Sequence, residues 1–529
     1  MNPSDFGRLV EGLMAPGAYP HPADQVVHIE THISHVLLAG DYAYKLKKPL
    51  NLGFLDFSTL ERRRECCLEE LRLNRRLAPG LYLGVVPVTG TPEHPSVGDT
   101  QAEDEPVLEW AVRMQRFPQE DLLDRCALTP DLVDRLADRV AAFHGEIPSA
   151  PPDSAFGTPE AVLEPMLENL RHVRAQVAEP GNARRLDRLE AWTRTRWDEL
   201  IPVIRSRRTE GRVRECHGDM HRGNIVLMEG EPLIFDALEF NPNLRWIDTA
   251  SELAFLIMDI EEAGEQAQAR RLLNRYLELG GDYGALQVLD FYKVYRAMVR
   301  AKVLAIRLGQ PGLSPDEALS DRRNCARYLA LAEAYTRRRR PRLLIACGLS
   351  GSGKSRLGRR LREALPVVQL RSDVERKRLF GLDPRARTAA SPNSGIYFPQ
   401  ATEWTYQRLR RLASMVLGCG YDVLVDATFL TRERRRVFRE LANSRDAGFV
   451  VLGLSAPVEV LRQRVTRRLA EGCDASEASL AVLERQLAAC EHLDALEQAE
   501  AIQIDSTNPP DFQDVLARIA DISGIAIGD

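Results

Sequence analysis

The stretch Gly348-Leu-Ser-Gly-Ser-Gly-Lys354-Ser355 decides the fold of the last third of this 529-residue sequence. It fits the pattern G-x-x-x-x-G-K-[ST], in which glycines let backbone N–H groups surround a phosphate, the lysine adds a positive charge and the last hydroxyl ligates Mg²⁺. The apolar residues 343–347 predict a strand before the loop, and 354–364 predict a helix whose positive end faces the same anion. The pattern predicts a nucleotide site formed by Gly348, Ser350, Gly351, Ser352, Gly353, Lys354 and Ser355.

Two acidic residues stand at the ends of predicted strands in the same region. Asp373 follows the strand 367–371, where a side chain points into the ligand crevice of a parallel sheet. It is a candidate general base, and Arg376 is a candidate to hold the acceptor or its phosphate. The alternative is that Ser372 or Asp373 only caps the next helix. Asp426 ends the strand 422–426 and is assigned to substrate binding, with a contact to Mg²⁺-bound water or a structural turn as alternatives.

Arginines crowd the predicted helix 457–470, at positions 462, 464, 467 and 468. Such a helix could form a lid that places positive charge over a transferring phosphoryl group. A solvated basic face is the alternative.

Helices are also predicted at 373–380, 401–417, 431–445 and 476–496, with a further strand at 449–454. Alternating strands and helices predict a parallel sheet covered on both faces.

A second phosphate-transfer pattern lies upstream, in His217-Gly-Asp219-Met-His-Arg-Gly-Asn224. Asp219 and Asn224 are spaced as in the protein-kinase pattern H-R-D-x-x-x-x-N, so Asp219 would take the acceptor proton and Asn224 would hold Mg²⁺. A predicted hairpin at 225–235 returns Asp236 beside Asn224 as the second metal ligand. Glu239 is a candidate metal or substrate contact, and Asp248 is expected to brace the catalytic loop.

Residues 1–120 mix strands and helices, and 130–335 are mainly helical, which is the order of lobes in a kinase-like fold. The hairpin 36–47 places Lys45 and Lys47 on one strand face. Either would contact ATP, with a slight preference for Lys45, and Glu70 on the predicted helix 59–77 would hold it. Further strands are predicted at 85–88 and 108–115, a polar loop at 96–106, and an adenine-binding hinge at 112–114.

Two resemblances accompany these patterns. Residues 342–525 resemble the small P-loop kinases, namely gluconate kinase, polynucleotide kinase and the zeta-toxin group, through GLSGSGKS, SDVER at 372–376, DAT at 426–428 and RVTRR at 464–468 before DASEA at 474–478. This resemblance implies Asp373 as base, Arg376 as substrate arginine, and Arg464 and Arg468 as lid. Residues 30–335 resemble the aminoglycoside phosphotransferase family and its choline-kinase-like relatives through HGDMHRGN and IFD, with no clear G-x-G-x-x-G loop.

The predicted fold class is therefore a multidomain α/β protein. Residues 1–335 form a protein-kinase-like domain with an α+β small lobe and a mainly helical large lobe. An arginine-rich linker spans 336–341, and a P-loop α/β domain with a parallel sheet spans 342–529. The length of the chain agrees with more than one core.

Composition narrows the function. A net charge of -5 makes a nucleic-acid partner unlikely, no apolar run is long enough for a membrane span, and nine scattered cysteines indicate a reducing cytoplasm and no zinc site. We expect an ATP- and Mg²⁺-dependent kinase with two nucleotide-binding modules that phosphorylates hydroxyls of small molecules such as sugars or aminoglycoside-like compounds. The alternatives are one active module with a regulatory nucleotide-binding partner module, or a polynucleotide or zeta-toxin-like kinase in the C-terminal module. No pattern predicts an oligomeric state.

Overall fold

The computed structural model of the chain describes residues 3–51, 55–98, 106–177, 180–310, 312–386, 395–471, 478–508 and 510–526. Most of the predicted loop 96–106 and most of the DASEA motif lie outside these ranges. The chain divides into two compact units, each built from two pieces: Met1–Glu262 with Tyr292–Leu329, and Ala263–Phe291 with Ala330–Asp529. Among the described residues, no helix combines the length and apolarity needed to cross a membrane.

The first unit begins with a six-stranded antiparallel sheet in the order β1-β2-β3-β6-β4-β5. Its elements are α1 (Pro3–Gly12), β1 (Val26–Glu30), β2 (Ser34–Ala39), β3 (Tyr42–Lys47), α2 (Leu60–Asn74), β4 (Tyr82–Gly90), β5 (Pro95–Val97) and β6 (Glu109–Gln115). The predicted hairpin is confirmed, because Ala39 pairs with Tyr42 around the two-residue turn Gly40-Asp41. Gly40 has φ 56°, which suits the tight turns that join twisted antiparallel strands.

The rest of the first unit is mainly helical, as predicted. The helices are α3 (Pro130–Glu146), α4 (Pro159–Gln176), α5 (Pro180–Thr209), α6 (Pro242–Arg245), α7 (Thr249–Glu262), α9 (Leu286–Leu308) and α10 (Pro315–Tyr335), of which α9 and α10 each have residues in both units. Two short antiparallel pairs accompany them: β7 (Val213–Glu215) with β10 (Trp246–Asp248), and β8 (Ile225–Met228) with β9 (Glu231–Ile234). The β8–β9 pair is the predicted hairpin before Asp236.

The second unit contains a five-stranded parallel sheet in the order β12-β13-β11-β14-β15. The strands are β11 (Arg342–Cys347), β12 (Val367–Arg371), β13 (Asp422–Asp426), β14 (Gly448–Ser455) and β15 (Ala501–Asp505). The helices are α8 (Gln266–Gly280), α11 (Lys354–Ala364), α12 (Ser372–Leu379), α13 (Pro399–Gly418), α14 (Arg432–Ser444), α15 (Val458–Glu471), α16 (Leu480–Ala489), α17 (Ala495–Ala499) and α18 (Phe512–Ser523). An apolar cluster beneath the sheet includes Leu344, Leu361, Val450 and Ile519.

Two features of this unit differ from the expectation. The helical stretch predicted over 476–496 breaks after Ala489, because Asp494 starts a separate helix with a capping box to Glu497. The edge strand β15 and helix α18 were not predicted, since a five-residue strand with alternating exposure gives a weak pattern.

Helix α8 lies in the second unit, although the domain limits expected from the sequence place it in the kinase-like domain. Its side chains bond the edge strand β12 directly. Asn274 donates through Nδ2 to the Val367 carbonyl oxygen at 2.9 Å and accepts at Oδ1 from the Gln369 N–H at 2.9 Å. Glu278 also pairs with Arg371 at 3.0 Å. The sheet edge is thus covered by a helix drawn from far upstream in the chain.

Candidate active sites

The phosphate-binding loop between β11 and α11 depends on glycine at two positions. Gly348 has φ 152°, and a Cβ there would lie 2.5 Å from the Leu454 carbonyl oxygen. Gly351 has φ 85°, and its Cβ would lie 3.0 Å from the Leu461 carbonyl oxygen. Larger residues would therefore strain or displace the loop. The loop ends at Lys354, the first residue of α11, so the positive end of this helix faces the loop interior.

The polar groups of the loop are arranged for an anion. Lys354 donates through Nζ to the carbonyl oxygens of Gly348 and Leu349, both at 2.9 Å. Burial lowers the pKa of Lys354, and the charge of Asp426 offsets this only in part. The Ser352 side chain is 1% exposed, and its hydroxyl has no partner among the described residues. A buried hydroxyl without a partner and a buried lysine fit a bound phosphate.

Asp426 lies beside the serine that ends the phosphate-binding loop. Ser355 donates through Oγ to Asp426 Oδ2 at 2.8 Å, and Gln369 donates to the same oxygen at 3.1 Å. Burial raises the pKa of Asp426, and nearby Arg371 and Lys354 oppose that shift. Hydroxyl and carboxylate oxygens are ligands that Mg²⁺ prefers. Of the roles that the sequence left open for Asp426, the geometry favours the metal-side contact.

The loop opens into a cavity of about 960 Å³. Its walls bring together all the other predicted residues of this unit: Asp373, Arg376, Asp426, Arg464 and Arg468. Arg464 donates to the Ser506 carbonyl oxygen at 2.6 Å and to the Gly351 carbonyl oxygen at 3.3 Å, and Arg468 donates to the Ala478 carbonyl oxygen at 3.3 Å.

The sequence did not show which arginines of α15 face the cavity and which face solvent. It also gave no sign of a cavity arginine on α14. Arg462 pairs with Glu459 and Glu484 and belongs to the solvated face. Arg434 on α14 also lines the cavity. It was hidden in the run RERRR at 432–436, because a run of arginines does not tell which side chain faces a ligand.

In the first unit, the catalytic loop places Asp219 against Asn224. Asn224 donates through Nδ2 to Asp219 Oδ2 and to the Asp219 carbonyl oxygen, both at 3.0 Å. His221 Nε2 lies 3.5 Å from Asp219 Oδ2. Burial acts to raise the pKa of Asp219, but His221, His217 and Arg300 together outweigh burial, so the pKa lies below its usual value. The carboxylate is therefore ionised near neutral pH and able to accept a proton.

The β8–β9 hairpin returns Asp236 to this loop. The Phe235 N–H donates to the Asn224 carbonyl oxygen at 2.9 Å, and the Asp236 N–H donates to the Tyr82 hydroxyl at 3.1 Å. Asp236 has φ 65°, and its side chain is 43% exposed. The exposed carboxylate of Asp236 and the amide of Asn224 form an oxygen-donor set that fits Mg²⁺.

A buried charge cluster links this site to the six-stranded sheet. Glu70 receives Lys45 at 2.9 Å through one carboxylate oxygen and Lys47 through the other. Lys45 also pairs with Asp236, and Lys47 with Glu239. Burial acts to raise the pKa of Glu70, but the two lysines outweigh it and lower the pKa to about 2. Both lysines are therefore part of the cluster, and only Lys45 reaches Asp236.

The residue that braces the catalytic loop differs from the one expected. Glu252 on α7 accepts from the Gly218 N–H at 2.7 Å and contacts His144 at 2.9 Å. Asp248 instead holds Arg207 with two bonds of 2.7 and 2.8 Å and accepts the Ala250 N–H. The expectation for Asp248 was wrong because it precedes α7, where its carboxylate caps the helix instead of reaching back to the loop.

The hinge predicted at 112–114 is also wrong. These residues lie inside β6, which pairs with β3 on one side and β4 on the other. Both ladders run past these residues, with a register shift in β4 between Tyr82 and Gly84, and a backbone group engaged in a ladder does not bind an adenine edge.

The fold and the two sites define a kinase whose two modules have different folds. The sequence matches the phosphotransferase enzyme family over residues 54–289 and the AAA domain family over 343–493. Two proteins described as uncharacterized, one from Mycobacterium bovis and one from Mycobacterium tuberculosis, are 32% identical to the chain over 467 residues, which cover 86% of this chain and 89% of theirs. The chain belongs to the same family as these mycobacterial proteins.

Two solved structures show similarity to parts of the chain. A gluconokinase from Sinorhizobium meliloti is 25% identical and covers 35% of this chain and 96% of its own, with a TM-score of 0.25. A choline/ethanolamine kinase family protein from Mesorhizobium loti is 14% identical and covers 63% of this chain and 99% of its own, with a TM-score of 0.36.

Proposed function

We propose that the chain carries two ATP-dependent phosphotransferase sites, each of which transfers the γ-phosphate of ATP to a hydroxyl of a small molecule such as a sugar or an aminoglycoside-like compound. One observation carries this proposal. In each unit, a carboxylate suited to accept a proton shares a site with a buried lysine and oxygen donors suited to Mg²⁺. Phosphoryl transfer needs these groups, because it depends on positioning and charge neutralisation.

In the first unit, Asp219 orients the acceptor hydroxyl and accepts its proton. Lys45 binds the phosphates of ATP while Glu70 holds its side chain in place. Asn224 and Asp236 would hold Mg²⁺, which neutralises charge on the transferring phosphoryl group when bound. The pairing of Asn224 with Asp219 at 3.0 Å supports a shared role, since it fixes the metal side and the acceptor side of the loop together.

In the second unit, the loop N–H groups and Lys354 hold the phosphates, and Ser355 with Asp426 would hold Mg²⁺. Asp373 accepts the proton of the acceptor, and Arg376 binds the acceptor. Arg464 and Arg468 stabilise the charge that develops on the transferring group. The cavity that contains all of these side chains supports this division of roles.

The test uses the full-length protein with ATP, Mg²⁺ and a panel of sugars, aminoglycosides and nucleosides, with ADP release as the readout. Asp219→Asn removes the proton acceptor of the first unit, and Lys354→Ala removes the phosphate lysine of the second. We expect each variant to lose transfer to one set of acceptors by about 100-fold or more and to keep transfer to the other set. Asp153→Asn, on an exposed turn, is the matched control.

Two other outcomes are informative. If one variant alone abolished all transfer, a single active module with a nucleotide-binding partner module would replace the proposal. If no acceptor in the panel stimulated ADP release, the proposal of two small-molecule kinases would be wrong.

A further inference from the structure

The cavity of the second unit holds far more positive charge than a nucleotide uses. The described residues that line it include one lysine and nine arginines, but only two carboxylates, Asp373 and Asp426. A triphosphate with its Mg²⁺ carries fewer negative charges than this excess, so the lining offers more cations than a nucleotide needs. Like charges collected in one cavity repel each other, so this lining favours an anionic ligand.

Arg376 lies on the acceptor side of the cavity, one helical turn from Asp373 on α12. Its residue is 8% exposed, and its guanidinium lies over the Tyr397 ring, 5.2 Å from the ring centre. One nitrogen donates to Thr402 Oγ1 at 3.2 Å and to the Ile396 carbonyl oxygen at 3.4 Å. Its Nε is buried and has no partner among the described residues. A buried guanidinium N–H left without an acceptor is unfavourable unless a ligand supplies one.

Arg434 stands near Arg376 in the same cavity. Its guanidinium lies over the Tyr406 ring, 4.4 Å from the ring centre, and has no hydrogen bond or ion pair within the described parts of the chain. Burial lowers the pKa of Arg376, and the charge of Arg434 adds to this shift, while Asp373 opposes it. The two arginines therefore repel each other across the acceptor side.

Most neighbouring arginines on the same helices, in contrast, pair with a carboxylate. On α14, Arg435 pairs with Glu497 at 2.7 Å, and Arg436 pairs with Glu433 at 2.7 Å. On α12, Arg378 pairs with Glu375. Arg376 and Arg434 face the cavity and have no carboxylate partner among the described residues, and outside the cavity the Arg432 side chain also has none. The tyrosine rings hold the planes of the two guanidinium groups in place and leave the N–H edges of these groups available.

We propose that the acceptor of the second unit already bears a phosphate monoester, which Arg376 and Arg434 bind while Asp373 faces the acceptor hydroxyl. The proposal rests on the proposed kinase function of this unit. Two guanidinium groups match the charge and the several oxygens of a phosphate monoester, whereas a single arginine suffices for a carboxylate. The hydroxyl oxygen forms the new bond to the γ-phosphorus, the bond from that phosphorus to the ADP oxygen breaks, and the hydroxyl proton moves to Asp373.

This assignment also sets a place in a reaction sequence. The acceptor must come from a reaction that phosphorylates a polyhydroxylated molecule once, and the product would carry two phosphate groups. The reaction proposed for the first unit belongs to the class that makes such monoesters.

The first test measures transfer by the Asp219→Asn protein, in which only the second unit acts. The panel pairs sugar monophosphates with their unphosphorylated parents and includes gluconate as a carboxylate. We expect kcat/KM for at least one monophosphate to exceed that of its parent by about 100-fold or more, because the parent leaves two cations unpaired. If the parent or gluconate reacted as well as the monophosphate, the inference would be overturned while the kinase function of the unit would stand.

A second test does not depend on finding the acceptor. Inorganic phosphate is titrated calorimetrically into the full-length protein after Mg²⁺ and a non-hydrolysable ATP analogue have filled the nucleotide sites. We expect phosphate to bind, and Arg434→Gln to weaken this binding at least about 10-fold. The matched control Arg436→Gln changes an exposed, carboxylate-paired arginine on the same helix and should leave binding unchanged. Arg376→Gln is expected to weaken phosphate binding similarly. If Arg376→Gln prevents folding because Arg376 is buried, Arg434→Lys is used as the second variant instead. Absence of phosphate binding, or equal loss in the control, would overturn the inference.

Discussion

The pair formed by Lys47 and Glu239 offers a test of the buried charge cluster in the first unit. The Lys47 side chain is 0% exposed and that of Glu239 is 3% exposed, and Lys47 also contacts Glu70. Removing one partner of a buried ion pair costs about 3–5 kcal/mol, because a buried charge is left behind. Glu70 still pairs with Lys47 in Glu239→Gln, so we expect the lower end, about 3 kcal/mol.

The double variant separates pairing from mere disruption. Lys47→Met with Glu239→Gln removes both charges and leaves the pair of Lys45 with Glu70 in place. We expect it to recover about 2 kcal/mol relative to the additive loss of the two single variants. Lys47→Met alone leaves a buried carboxylate at Glu239, whose pKa burial already raises. Since a raised folded-state pKa favours the protonated form, the stability of that variant should fall as pH rises above the ordinary value of 4.5.

Hydrogen exchange followed by mass spectrometry measures the loss of stability locally, in peptides that cover β3 and α2. A loss of 3 kcal/mol corresponds to roughly 100-fold faster exchange where the segment recloses faster than it exchanges, so that the opening equilibrium sets the rate. Glu164→Gln is the control, because Glu164 pairs with Arg171 on the surface, with side chains 68% and 63% exposed. Such pairs contribute at most about 1 kcal/mol. The reasoning is refuted if Glu239→Gln speeds exchange less than about 10-fold, or if the double variant is as unstable as the sum of the singles.

Three further predictions concern the second unit. Asp426→Asn should abolish turnover by the second unit yet stabilise the nucleotide-free protein at neutral pH, because the raised folded-state pKa of Asp426 makes its ionised form unfavourable. This gain in stability should fade as pH falls toward 3.8, and urea unfolding at several pH values measures it. Gly348→Ala should abolish nucleotide binding by the second unit, measured calorimetrically as the loss of one of the two binding events that the unchanged protein shows and compared with Gly280→Ala, whose Cβ meets nothing within 4 Å. Asn274→Ala should speed hydrogen exchange of β12, since two buried backbone groups lose their partner at about 1–3 kcal/mol each, and unchanged exchange would exclude the edge role of α8.

The parts of both sites that the sequence predicted are those whose geometry is local. The phosphate-binding loop is eight consecutive residues. The helix after it has the predicted bounds, and the strand before it begins one residue earlier than predicted, at Arg342. Asp219 and Asn224 are five residues apart and meet within one loop. A local motif fixes backbone turns directly, so its side chains can be assigned without knowledge of the rest of the fold.

The contacts that the sequence did not predict join distant parts of the chain. Lys47 and Glu239 are separated by 192 positions, and Glu252 reaches Gly218 from a helix 34 positions away. The hinge prediction failed for the same reason. The sheet order sets which strands pair with β6, and the sequence of β6 itself does not show that order. Arg434 was missed because the packing of α14 decides which of its side chains face the cavity.

The segment 263–291 shows why a motif boundary is not a folding boundary. The match to the phosphotransferase family runs to residue 289, yet this segment packs within the second unit. There Tyr283 donates to Glu375 on α12 at 3.2 Å, and Asn274 takes the place of a neighbouring strand on β12. Because α12 carries Asp373 and Arg376, the upstream segment contacts the helix that holds the proposed base and acceptor arginine. A cut at the arginine-rich stretch 336–341 would remove these contacts and leave the edge of the parallel sheet open. The second unit is therefore complete as a folded body only with a piece of chain that its own motifs do not include.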